Sequence, residues 1–238
     1  MSRPLWTRAA AELLGTALLV GIGTGTIVAA SAAPDFPQWA MALAWFAAVA
    51  VPIVIFVSIS GAHLNPAVSL ALALSGRVAW RELPAYWAGQ FAGAFVGSAG
   101  VWLLLGRAAH LGATVPAHGD VVRAFAAECA FTALLVGAVF YLADLGEGRG
   151  RWRLALPPAA VGLSTYVIGP WTGSSLNPAR TLAPAVLSAT YTDLWVYFVA
   201  VPLGAILVAV LWRPRSVDVA DRGPGRRDAP PSPAPKNG

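Results

Sequence analysis

The chain is written twice. AELLGTALLV (11–20) returns as AECAFTALLV (127–136), identical at seven of ten positions, with Glu12 matched by Glu128 and Thr16 by Thr132. GAHLNPA (61–67) returns as GSSLNPA (173–179), identical at five of seven. Further on, Tyr86, Gly93 and Ala94 find counterparts in Tyr197, Gly204 and Ala205. Any fold for this chain must therefore house two copies of one unit.

The copies are apolar enough to live in a bilayer. Hydrophobic residues make up 57% of the sequence and charged ones 11%, with a mean hydropathy of +0.65, outside the range of ordinary soluble domains. Six runs bounded by Pro, Gly or charge clusters, at roughly 9–32, 39–60, 84–106, 121–142, 154–170 and 194–212, have the length of membrane spans. Two shorter ones, about 65–75 and 177–188, suit re-entrant segments. Each half is three spans with a short segment between its second and third. An odd number of spans turns the second half upside down, and inverted repeats of this kind form a site where the halves meet. The expected fold is an all-α membrane protein of six transmembrane helices and two re-entrant half-helices.

Both short segments begin Asn-Pro-Ala: Asn65, Pro66, Ala67 and Asn177, Pro178, Ala179. Asn is a favoured N-cap and Pro a favoured first helical residue, so each triplet starts a half-helix. Inversion points the two starts at one another. Each helix N-terminus carries about half a positive charge, which repels cations at the meeting point. The Asn amides are donors for a neutral molecule passing there. Ahead of each cap the backbone is non-helical, tolerated at this depth only against protein or water. The carbonyls of Gly61, Ala62 and His63, and of Gly173, Ser174 and Ser175, are thus candidate acceptors along a wet path.

With the N-terminus in the cytoplasm, every basic residue except Arg107, Arg123 and Arg180 faces inside, so the positive-inside rule predicts two cytoplasmic termini. The net charge of +5 sits in short loops and a tail, which gives no reason to expect nucleic acid. Residues 1–213 read as one channel domain, with repeats at about 8–106 and 121–212; the Pro-rich, polar stretch 214–238 reads as a disordered cytoplasmic tail. The single cysteine, Cys129, rules out a disulfide framework and a multi-cysteine metal site and reads as a small core residue. His110 and His118 read as solvated loop histidines without acidic partners, and no metal or cofactor is expected. Gly89, Gly93 and Gly97 form a small-residue ridge for helix packing.

Over residues 8–212 these features resemble the aquaporins of the major intrinsic protein family: paired Asn-Pro-Ala triplets, Arg180 directly after the second, and an acidic residue early in each half. The resemblance implies one pore per chain, a homotetramer in the plasma (inner) membrane, and passive flow of water and small uncharged solutes such as glycerol, without enzymatic chemistry. It also implies an outer selectivity constriction of Trp45, Thr165, Ser174 and Arg180. An intramembrane arginine is costly unless it faces water or protein, in keeping with a pore role. Where water-selective members carry Phe and His, this chain has Trp45 and Thr165, which predicts a wider ring open to polyols. Other marks point to water: Thr181, Ala185 and Tyr197-Phe198 differ from the glycerol facilitators, and the 107–120 loop is short. Glu12 and Glu128 have two readings. They are either proton-relay acids of an inverted-repeat transporter or, as the resemblance implies, buried acceptors supporting the two half-helix loops.

Overall fold

The computed structural model describes residues 3–33, 35–145 and 151–212. The expected tail lies outside the described residues. Among those described there are eight α-helices: α1 (Leu5–Ala30), α2 (Gln38–Ser60), α3 (Pro66–Leu74), α4 (Leu83–Leu105), α5 (Val121–Asp144), α6 (Leu156–Thr172), α7 (Pro178–Ser188) and α8 (Leu194–Leu211). Helix is the natural state for such apolar runs in lipid, because it satisfies every backbone group within the segment. Five helices are long and apolar enough to cross a membrane. The fifth of the six expected spans, α6, has 17 residues, the lower limit for crossing. The two Asn-Pro-Ala segments, α3 and α7, have 9 and 11 residues.

The surface is inverted relative to a soluble protein. Leu103 and Leu104 are each 84% exposed, while Glu12, Gln90, Glu128 and Arg180 are fully buried. Trp6, Trp39, Trp80 and Trp195 are exposed near helix ends, where amphipathic rings meet the membrane interface. Trp45, in the body of α2, is buried instead.

Glycines let the spans approach backbone to backbone. A Cβ at Gly89, Gly93 or Gly97 of α4 would lie 2.2–2.5 Å from the carbonyl oxygens of Ala9, Leu13 and Ala17 on α1. The mirror contact recurs in the second half, where a Cβ at Gly204 of α8 would lie 2.2 Å from the Cys129 oxygen on α5. This is the close packing that small-residue ridges permit. The halves also interlock: α3 packs on α8, and α7 on α4. At one end, Arg77 donates to Asp144 (2.7 Å) and lies over the Phe140 ring, while Trp212 Nε1 donates to the other Asp144 oxygen (2.8 Å).

Candidate functional site

Spans α2 and α6 end alike. Gly61 and Gly173 take left-handed conformations (φ +87° and +77°), which stop each helix as C-terminal glycines do. Positive φ at Ala62 and Leu64, and again at Ser174 and Leu176, carries the chain on in a non-helical zigzag to each Asn. These are strained conformations for side-chain-bearing residues, and something must hold them.

The two glutamates hold them, by the same bonds. Glu12 accepts from Ser60 Oγ (2.6 Å), His63 N (3.0 Å) and Leu64 N (2.7 Å). Glu128 accepts from Thr172 Oγ1 (2.7 Å), Ser175 N (2.8 Å) and Leu176 N (2.9 Å). Ser60 and Thr172 each accept in turn from a loop amide, Ala62 N and Ser174 N. Tyr86 and Tyr197 donate to the Ser60 and Thr172 carbonyls, each at 2.7 Å. The halves differ at Gln90, which donates to Glu12 (2.8 Å) and Ser69 (2.9 Å); its register partner in α8 is the apolar Val201. Sequence reasoning missed Ser60, Thr172 and Gln90. The first two were detectable as hydroxyls at matching positions of the repeat.

The Asn pair crosses between the halves. Asn65 Oδ1 accepts from Ala67 N (2.9 Å), and Asn177 Oδ1 from Ala179 N (3.0 Å) and Arg180 N (3.3 Å), capping α3 and α7. Asn65 Nδ2 donates to the Leu176 carbonyl (2.7 Å), and Asn177 Nδ2 to the Leu64 carbonyl (2.8 Å). Each amide nitrogen carries two donors, so one N–H per Asn is left over.

These groups line a cavity of about 280 Å³. Gly61, Ala62, His63, Asn65, Ser175 and Asn177 are in its lining, as are the apolar Leu19, Val49, Ile53, Val68 and Leu135, and Trp45 and Arg180. His63 rests on Tyr86, ring centroids 4.6 Å apart, with Nδ1 3.0 Å from Ser69 Oγ.

Arg180 is wholly buried, with its guanidinium carbon 4.7 Å from the centre of the Trp45 ring. It donates to the carbonyls of Gly112 (2.7 Å) and Gly173 (3.3 Å), and its Nε has no protein partner among the described residues. Gly112 lies in the loop between α4 and α5 and gave no sequence signal. Thr165 is buried outside the cavity lining, its hydroxyl unpartnered among the described residues. The Ser174 hydroxyl pairs with Ser164 (2.8 Å), and Tyr197 is engaged as described. His110 Nδ1 lies 3.1 Å from Thr190 Oγ1.

Comparison with known proteins agrees with this architecture. Residues 1–212 match the family described as Major intrinsic protein. The chain is 36% identical over 208 residues to Aquaporin NIP1-1 of Zea mays, covering 87% of this chain and 73% of that one. It is 36% identical over 217 residues to the glycerol uptake facilitator protein of Pseudomonas aeruginosa, covering 80% and 76%. The solved structure of the aquaglyceroporin from Plasmodium falciparum superposes with a TM-score of 0.73 at 26% identity, covering 87% of this chain and 95% of that one. Two inverted halves, each with a glutamate-braced loop and an Asn-capped half-helix, thus come with matching sequence and matching fold: the chain belongs to the major intrinsic protein family.

Proposed function

We propose that this protein is a passive transmembrane channel that conducts water and small uncharged solutes such as glycerol and excludes ions and protons. The observation that carries the reading is the reciprocal crossing of Asn65 and Asn177 onto the Leu176 and Leu64 carbonyls. It fixes two half-helix starts nose to nose, each with one amide N–H free to meet a passing oxygen. A molecule there accepts from the two Asn groups and donates to loop carbonyls of Gly61, Ala62, His63 or Ser175. The apolar residues of the lining, Leu19, Val49, Ile53, Val68 and Leu135, offer it no bond, so it moves on. Cations meet the positive ends of two helix dipoles and the Arg180 charge.

In this reading Trp45 and Arg180, which line the cavity, form the outer constriction together with Thr165 and Ser174, whose place in it rests on their spacing from the second Asn-Pro-Ala segment. Arg180 presents fixed donors and Trp45 an apolar face for the carbon side of a polyol. Glu12 and Glu128 act as scaffold. The chain works as a homotetramer in the plasma membrane with both termini cytoplasmic, residues 1–213 forming the channel and 214–238 a tail.

Stopped-flow light scattering on proteoliposomes tests it. Water and glycerol permeabilities above those of empty liposomes, linear in gradient and indifferent to a proton gradient, are expected. Saturable, proton-coupled flux would overturn the channel in favour of a transporter. Water flow with complete exclusion of glycerol would overturn the width assigned to the constriction.

A further inference from the structure

We propose that Gly23 of α1 is a specificity-determining position: it sets the width of the outer constriction by giving the Trp45 indole room to lie back. The inference rests on the reading of Trp45 and Arg180 as that constriction. Gly23 is buried inside a helix and is not among the residues with positive φ, so its backbone does not call for glycine. Glycine inside a helix is unfavourable relative to alanine, which leaves packing as the reason for it. A Cβ at this position would lie 2.6, 2.7 and 2.8 Å from Cη2, Cζ3 and Cζ2 of Trp45, whereas carbon atoms sit comfortably at about 3.5–4.0 Å. The far edge of the indole therefore occupies the space a side chain would take.

The same ring faces the conduit. It lines the cavity together with Arg180, whose guanidinium carbon stands 4.7 Å from the ring centre. Leu19, one turn before Gly23 and so on the same side of α1, lines that cavity too. The indole is thus held between the Gly23 face of α1 and Arg180. A methyl group at position 23 forces it off α1, towards Arg180 and the space through which solute passes. A polyol needs that width more than water does. Gly21 and Gly25 lie two residues to either side. A methyl group there would have no neighbour closer than 3.9 and 3.5 Å, so both serve as controls.

The full-length protein in proteoliposomes decides the matter, with water and glycerol permeabilities measured side by side. Gly23→Ala is expected to lower the glycerol-to-water ratio about tenfold, the low end of what one methylene is worth in a close-fitting site. Gly25→Ala should leave the ratio unchanged. Adding Trp45→Phe to Gly23→Ala, which removes the clashing edge, should restore the ratio to that of Trp45→Phe alone. A wild-type ratio in Gly23→Ala overturns the inference, as does an equal loss of both fluxes that Trp45→Phe does not relieve. Should Gly23→Ala fail to assemble, the double variant decides: recovered assembly supports the clash with Trp45, and continued failure overturns it. Trp45→Ala alone separates the two levels. An unchanged ratio there overturns the constriction assignment beneath, whereas a changed ratio beside an inert Gly23→Ala overturns only the role of Gly23.

Discussion

Replacing Glu128 by alanine should come close to unfolding the protein. The carboxylate is fully buried and accepts from Thr172 Oγ1, Ser175 N and Leu176 N at 2.7–2.9 Å. Those donors are themselves buried. Each orphaned buried donor costs about 1–3 kcal/mol, so three cost roughly 3–9 kcal/mol, against a typical total stability of about 5–15 kcal/mol. Glutamine separates scaffold from proton chemistry. One oxygen, at the Oε1 position, still serves Thr172 and Ser175, while the amide nitrogen turns a donor towards the Leu176 N–H. One lost bond of about 1–3 kcal/mol corresponds to a melting point lower by roughly 2–12 °C for a chain of this size. Thermal unfolding of the detergent-purified protein, followed by tryptophan fluorescence, should rank wild type above Glu128→Gln above Glu128→Ala. Water flux should survive in the Gln variant. An alanine variant as stable as wild type would refute the scaffold argument. A Gln variant that melts normally but shows a shifted pH dependence of flux would point to a proton-coupled transporter instead.

Three further outcomes are expected. In Asn65→Asp the carboxylate keeps the Ala67 N–H but can no longer donate to the Leu176 carbonyl, which costs about 1–3 kcal/mol; it also sets a negative charge where two dipole ends repel cations. Asn177→Asp does the same towards Leu64, and both should raise cation leak in liposome flux assays. Thr165→His should reduce glycerol flux more than water flux, by about tenfold relative to wild type, read in the same stopped-flow assay. Gly204→Ala must place a methyl 2.2 Å from the Cys129 carbonyl, so α8 has to move off α5; overpacking of this kind costs about 1–3 kcal/mol, seen as a lower melting point with the glycerol-to-water ratio unchanged.

What could be read from the residue order alone is what short-range physics controls. A run of about 20 apolar residues is a span wherever it lies. Asn followed by Pro caps and starts a helix by contacts within three residues, and α3 and α7 begin at Pro66 and Pro178 accordingly. The repeat itself implies inversion, by counting spans. Partners far apart in sequence are another matter. Residue order leaves Glu12 and Glu128 with two readings because their donors come from loops about 50 residues away, and nothing local marks an amide as one that will need an acceptor. The hold of Gly112 on Arg180, of Ser164 on Ser174 and of each Asn on the loop ahead of the opposite half-helix exists only once the halves interlock. Gly23 is the plainest case. In the sequence it is one of several small residues in an apolar run, and only the packing of α1 against α2 reveals that its missing side chain is the space in which Trp45 lies.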